Sequence, residues 1–262
     1  MNILEEIISH KRQLLERQKK DIPQEKLLKL LDRSLPAPRF QVKIAQKGVH
    51  LIAELKKASP SAGIIREDFD FVAIAKAYEK AGASCLSVLT EDEFFLGELP
   101  FLDKLRQTVS LPLLRKDFII DEYQLYESKV HSADAVLLIA SLLEEKTIKH
   151  FLKVARTVKL DAVLEVHDET ELQKALDCGV KTIGINARNL VDFSVDLNIL
   201  PNLLQKMPSD RLVICESGIK SVGDLAFIKN SLVHAVLIGE TLMRAKDVAA
   251  ATKEFVDFLK KQ

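Results

Sequence analysis

The sequence is short of the features that mark several protein classes. Of 262 residues, nine are glycine and eight are proline, too few for a fibrous or low-complexity chain. The three cysteines, Cys85, Cys178 and Cys215, are odd in number and far apart, with no C-x-x-C pair. That argues against a disulfide framework and for a reducing compartment, the cytoplasm. The six histidines are scattered and form no H-E-x-x-H, so no metal site built by the protein is expected. An excess of one charge is lacking too. The 38 basic residues balance 38 acidic ones, leaving no net positive charge to draw a nucleic-acid backbone, although a local patch is not excluded by an average. The longest apolar run, Ala135 to Leu143, is about half the length of a membrane span. The opening MNILEEIISH carries glutamates where a signal peptide carries lysines. The expectation is a soluble, cytoplasmic protein without nucleic-acid or membrane partners.

Apolar residues make up 47% of the chain and charged ones 29%, a composition that buries a large core and excludes disorder. The length fits one large α/β domain or two small ones. Residues 2 to 20 predict an amphipathic helix with Asn2 as its cap, Ile3, Leu4, Ile7, Ile8, Leu14 and Leu15 on the apolar face, and acidic-to-basic polarity along its length. Pro23 opens a second helix through Leu27, Leu28, Leu30 and Leu31, which Pro36 and Pro38 close. From Val49 onward, eight near-continuous apolar runs begin at 49, 83, 111, 134, 162, 181, 211 and 234. Helical patterns over 71–82, 147–158 and 169–179 lie between them, the last ending on Gly179 as a C-cap. Continuous apolar runs suit parallel strands buried on both faces. Eight of them alternating with helices predict a (β/α)8 TIM barrel. The rival is an open doubly wound sheet, whose G-x-G-x-x-G after the first strand is missing. We expect residues 1–262 to form a single barrel domain, with residues 1–46 as an N-terminal helical extension.

A barrel of this kind builds its site where the strands end. The runs end in Glu54 and Lys56, in Thr90 followed by Phe94 and Phe95, in Arg115-Lys116-Asp117, in Glu165 and His167, in Asn186 and Arg188, in Glu216 and Ser217, and in Gly239. Glu54 and Lys56 are two apart and share a side of the strand. Carboxylates and lysines converging from several strands would have their pKa values moved toward neutrality, as acid–base chemistry needs; the alternative is a solvated rim of charges. Ser217-Gly218 and Gly239 sit where loops 7 and 8 of this fold commonly hold phosphate, or else are plain turn residues. The charged loop Lys56–Ser61 can order over a ligand. Phe94 and Phe95 offer an apolar surface or pack on a helix. His167 reads as a rim residue.

The strings IAELKKASPSAG (52–63), SVLTEDEFFLG (87–97), LPLLRKDFIID (111–121), LEVHDE (164–169), IGINARNL (183–190), ESGI (216–219) and LIGETLMR (237–244) resemble indole-3-glycerol phosphate synthases across the whole barrel. The resemblance implies ring closure of 1-(2-carboxyphenylamino)-1-deoxyribulose 5-phosphate to indole-3-glycerol phosphate, carbon dioxide and water in tryptophan biosynthesis. The enzyme is then a carboxy-lyase with no cofactor or metal, acting on a phosphorylated small molecule as a monomer or weak homo-oligomer. By the same resemblance Lys116 is the general acid of condensation and Glu165 the general base of later steps. Glu54 and Asn186 orient the intermediate and the lysines, and Lys56 serves the ligand's anionic groups or dehydration. Arg188 meets the anthranilate carboxylate, and Phe95 and Phe118 wall its ring. Ser217, Gly218, Gly239 and the amide of Glu240 hold phosphate, and Ser59 and Glu216 complete the binding set. The chain departs from the family pattern at Ala187, where Asn is frequent, at Glu98, where a small polar residue is common, and at Cys215, where Ser or Ala is usual. Other phosphate-sugar barrel enzymes are the rival reading; a Schiff-base member commonly has lysine where strand 6 here ends in Asn186.

Overall fold

A computed structural model describes residues 2–31, 39–189, 193–228 and 231–261. Pro36, Pro38 and Leu190, named above, lie outside the described residues. Eight strands close a parallel barrel in sequence order: β1 (His50–Leu55), β2 (Cys85–Leu89), β3 (Leu113–Lys116), β4 (Ala135–Ile139), β5 (Asp161–Val166), β6 (Thr182–Asn186), β7 (Leu212–Glu216) and β8 (Ala235–Ile238), with β8 pairing back onto β1. Seven lie within a run predicted from the sequence, and β5 starts one residue before its run, at Asp161.

Side-chain direction alternates along every strand, and the two resulting sets form different clusters. Ile52, Leu114, Leu137, Val163, Ile214 and Leu237 fill the barrel interior. Leu51, Leu86, Leu113, Leu138, Leu164, Val213 and Val236 face out and pack under the helices. Cys85 belongs to the inner set and Cys215 to the outer one. Parity then decides what the strand ends present. Continuing the inner series by two from Ile52, Leu114, Val163, Ile214 and Leu237 gives Glu54, Lys116, Glu165, Glu216 and Gly239.

The three predicted connecting helices form as Phe71–Ala81, Glu145–Thr157 and Glu169–Asp177, the second starting two residues before its pattern. Phe71–Ala81 starts on Asp70, whose carboxylate accepts the amides of Val72 and Ala73, and stops at Gly82 in the left-handed conformation. Glu169–Asp177 ends on Cys178, and Gly179 is the left-handed residue just beyond it, one position past the cap. The Ile3–Asp21 helix carries the Asn2–Glu5 capping box.

The N-terminal segment spans the barrel from mouth to base. Lys11, on the helix Ile3–Asp21, reaches Asp117 just past β3 at 2.9 Å, and Ile7 joins the cluster that contains Phe118. The helix Gln24–Leu31 packs on the helix Tyr123–Val130. A short helix, Phe40–Ile44, missed by sequence pattern, plugs the base: Phe40 and Ile44 are fully buried among strand-start residues, and the Gln41 amide donates to Asp161 where β5 begins.

Behind the mouth, Asp117 sits in a buried polar cluster. It accepts from Arg115, Thr90 and the Phe118 amide, while Arg115 also donates to Glu127 and Ser128. Burial alone would push the Asp117 carboxyl up, but Lys11 and Arg115 hold it well below the usual carboxylate range. Removing one partner of a buried pair strands the other charge. Lys11→Ala is therefore expected to cost about 3 kcal/mol, read as a lowered denaturant midpoint. Because the Asp117 value is depressed on folding, its contribution is full above about pH 4 and fades as the pH falls below that. An unchanged midpoint at neutral pH would show that the pair does not hold the helix.

Candidate active site

Glu54, Lys56, Ser59, Phe95, Lys116, Phe118, Glu165, Asn186, Arg188, Glu216, Ser217, Gly218, Gly239 and Glu240 all line one cavity of about 1040 Å³ at the C-terminal mouth of the barrel. Its volume suits a drug-sized ligand.

The centre is a cage of paired charges. Lys116 Nζ donates to Glu165 Oε2 at 3.1 Å and lies 3.8 Å from Glu216 Oε2. Lys56 Nζ is 2.9 Å from Glu54 Oε2, and Ser87 donates to Glu54 Oε1. Glu54, Glu165 and Glu216 are each at most 4% exposed, so a solvated rim is the wrong description of them. Two glycines make room for the carboxylates. A Cβ on Gly184 would lie 2.2 Å from Glu216 Oε1, and one on Gly239 would lie 2.1 Å from Glu54 Oε2. Gly239, read from the sequence as giving phosphate access to the backbone, has a second requirement: a side chain there would strike the Glu54 carboxylate.

The expectation that these groups shift toward neutrality fails for the main pair. Burial by itself favours the neutral amine of Lys116, but Glu165, Glu216 and Glu54 outweigh it and hold the ammonium above the ordinary lysine value. Burial likewise favours a protonated Glu165, yet Lys116 and then His167 hold it well below the carboxylate range. Glu216 does move toward neutrality. Burial raises it, Lys116 opposes, Glu165 and Glu54 add to the rise, and the carboxyl is pushed up to about 8. Two adjacent carboxyls thus share one lysine, and the one it grips less closely keeps its proton.

The aromatic pair divides. Phe95 lines the cavity with its ring 6.1 Å from that of Phe118, while Phe94 turns toward the N-terminal helix, edge-on to His10. Buried Glu91 fixes the loop by accepting the amides of both. The stretch after β1, expected as a loop, contains a two-stranded hairpin of Ala58–Ser59 with Gly63–Ile64. Ser217 and Gly218 both have positive φ, 67° and 81°, a sharp turn that costs strain at Ser217. A Cβ on Gly218 would crowd Val195 and Leu197. Arg188 lines the cavity but is also braced, donating to the Phe193 carbonyl at 3.3 Å and lying 3.7 Å from Glu240. Ala187 is buried, and Glu98 is exposed away from the cavity lining.

Lys220 and Arg244 also line the cavity beside loops 7 and 8. Lys220 directly follows the string ESGI and Arg244 ends LIGETLMR, but a cation in a loop reads as surface. Among the described residues, one group of metal-type ligands comes together, His10, Glu91 and Asp92. Lys11 is 3.8 Å from Asp92, a like charge that opposes a cation there.

Solved structures agree on the fold. The chain is similar to a 3-hexulose-6-phosphate synthase from Salmonella typhimurium (TM-score 0.66, 14% identity, covering 81% of this chain and 99% of that one). It is similar also to a 3-keto-L-gulonate-6-phosphate decarboxylase from Vibrio cholerae (TM-score 0.64, 14% identity, 82% and 99%). Sequence relatives are more specific. The indole-3-glycerol phosphate synthase from Thermoanaerobacter pseudethanolicus is 44% identical over 97% of each chain. The one from Campylobacter jejuni subsp. doylei is 45% identical over 92% of this chain and 97% of its own. The one from Acetivibrio thermocellus is 51% identical over 79% and 80%. The family model of indole-3-glycerol phosphate synthase matches residues 4–255. With a family match over nearly its whole length and the paired charges of a barrel mouth, this chain belongs to the indole-3-glycerol phosphate synthase family.

Proposed function

We propose that the mouth cavity closes the indole ring of 1-(2-carboxyphenylamino)-1-deoxyribulose 5-phosphate, releasing carbon dioxide and water, with Lys116 as acid and Glu165 as base. The observation that carries these roles is the Lys116–Glu165 contact of 3.1 Å inside the cavity.

The barrel ring sets the substrate's orientation. β3 and β7 are four strands apart in a ring of eight, so the aromatic wall after β3 faces the Ser217-Gly218 turn across the mouth. Phe95 and Phe118 suit the flat anthranilate ring. The turns at Ser217-Gly218 and Gly239-Glu240, with Lys220 and Arg244 beside them, suit the phosphate. Arg188 offers a forked donor to the carboxylate.

Carbon attack on the ketone puts negative charge on its oxygen. The alkoxide that develops is a stronger base than any amine, so a lysine whose proton is firmly held still gives it up downhill. Loss of carbon dioxide then returns the bonding electrons to the ring. Departure of the hydroxyl calls for a second proton donor, for which Lys56 is placed beside Glu54. Glu165, kept ionised by its cations, takes the proton whose loss restores aromaticity. Glu54 and Asn186 orient the lysines and the intermediate. The three free thiols support a reading of the enzyme as cytoplasmic.

Incubation with the carboxyphenylamino-deoxyribulose phosphate is expected to give indoleglycerol phosphate fluorescence and an equal amount of carbon dioxide. Lys116→Ala should lower kcat by at least about 10²-fold, the scale of a lost general acid; near-normal turnover would remove Lys116 from the role. For Arg188, binding and bracing predict different outcomes. A carboxylate contact means that Arg188→Lys weakens binding of the carboxylated ligand, Arg188→Ala weakens it more, and both losses shrink for an analogue lacking that carboxylate. Equal losses for the two ligands by calorimetry would make Arg188 only a brace for Glu240.

A further inference from the structure

His167 follows Glu165 by two residues, so it continues the inner-facing series of β5 just past the strand's end. Its ring lies between two carboxylates on different elements. Nε2 is 3.2 Å from Glu165 Oε1, and Nδ1 is 3.0 Å from Glu171 Oε2 in the first turn of the helix Glu169–Asp177. The same Glu171 oxygen accepts the His167 amide at 2.9 Å, and the Glu171 amide donates to Asp168. The carboxylate that grips the ring is thus anchored at its own backbone and through its side chain. Glu165 Oε1 and His167 Nε2 are both buried without an aligned hydrogen-bond partner, and buried polar atoms of this kind ask for an explanation. Each has the other as a close ionic neighbour, whereas Lys116 donates to the second oxygen of Glu165, Oε2.

We infer that His167 is a positioning residue for the base: as an imidazolium pinned by Glu171, it fixes Glu165 Oε1 and keeps the carboxyl ionised, leaving Oε2 to the reacting proton. The inference rests on the reading of Glu165 as base. The charged groups facing the ring are Glu165 from its own strand and Glu171 from the following helix. Those facing Glu165 are His167, Lys116 from β3 and Glu216 from β7, with neutral Asn186 from β6. Burial alone would weaken the ring's hold on its second proton. The two carboxylates outweigh burial and raise the imidazole from the ordinary 6.5 to about 10, so it is cationic at neutral pH. Without that cation, Lys116 is the remaining positive charge that keeps Glu165 ionised, and Lys116 is the group that must part with a proton during the reaction.

The test compares wild type with His167→Gln, Glu171→Gln and Glu165→Gln. His167→Gln keeps a hydrogen-bond donor and removes the charge. It is expected to lower kcat about tenfold at pH 7 with KM within about twofold, a part of the roughly 10²- to 10⁴-fold that a positioned general base supplies. The deficit should widen as the pH falls from about 8 to 5.5, because a carboxylate without its cation takes up a proton more readily. Glu171→Gln should give a smaller deficit with the same pH trend. In wild type the His167 ring, followed by NMR, should stay protonated through about pH 8 and titrate lower in Glu171→Gln. A His167 ring titrating near its ordinary value in wild type, or a deficit that does not change with pH, overturns the inference. Near-normal turnover in Glu165→Gln would overturn the base assignment and this inference together. An inactive Glu165→Gln alongside a His167→Gln enzyme that matches wild type at every pH would overturn this inference alone.

Discussion

The mouth of the barrel depends on one constraint: three carboxylates buried in an apolar cup must be matched by cations. Glu54, Glu165 and Glu216 are almost without solvent, and burying charge is costly unless it is paired. Lys56 answers Glu54 and Lys116 answers Glu165. Glu216 has only a share of Lys116, at 3.8 Å, and so its proton is retained to higher pH than that of an ordinary carboxyl. The shape of the cup follows from the same need. Gly184 and Gly239 lack the Cβ that would occupy the places of the Glu216 and Glu54 carboxylates, so backbone positions on β6 and after β8 are tied to side chains on β7 and β1.

The outward-facing neighbours of the same residues hold the frame. Arg115 and Asp117 flank Lys116 and enter the buried cluster with Thr90, Glu127, Ser128 and Lys11, Asp117 at the edge of the cavity lining. One strand end therefore supplies a proposed catalytic lysine inward and an anchor outward. The N-terminal helix, joined through Lys11, closes this side of the mouth next to Phe118 and Phe94. A shift in that helix would be felt two side chains away from the ammonium, through Asp117.

Most of the architecture was legible in the chain, because apolar runs and strand parity act locally. Eight runs predict eight strands, and counting by two from their buried centres leads to Glu54, Lys116, Glu165 and Glu216. Legibility ends where the deciding partner is distant in sequence. The short helix Phe40–Ile44 is defined by the barrel base it plugs. Lys11, four residues from Ile7 and from Leu15, sits on the apolar stripe of its helix; without Asp117 in view it reads as a surface lysine that covers the stripe. One reason for Gly239 lies in Glu54, nearly two hundred residues earlier. The direction in which Lys116 titrates could not be read either. Burial and neighbouring charges push it in opposite directions, and only the distances to three carboxylates decide which prevails.

The titration of Lys116 tests the charge pairing directly. Heteronuclear NMR on the ligand-free enzyme can follow the Lys116 ammonium as the pH is raised. The paired cage predicts that Lys116 keeps its proton beyond the ordinary lysine value of about 10.4, and that Glu165→Gln brings its titration down. A Lys116 that loses its proton between about pH 7 and 9 in the wild-type protein, as a desolvated and unpaired amine does, would contradict the charge pairing on which the site has been built.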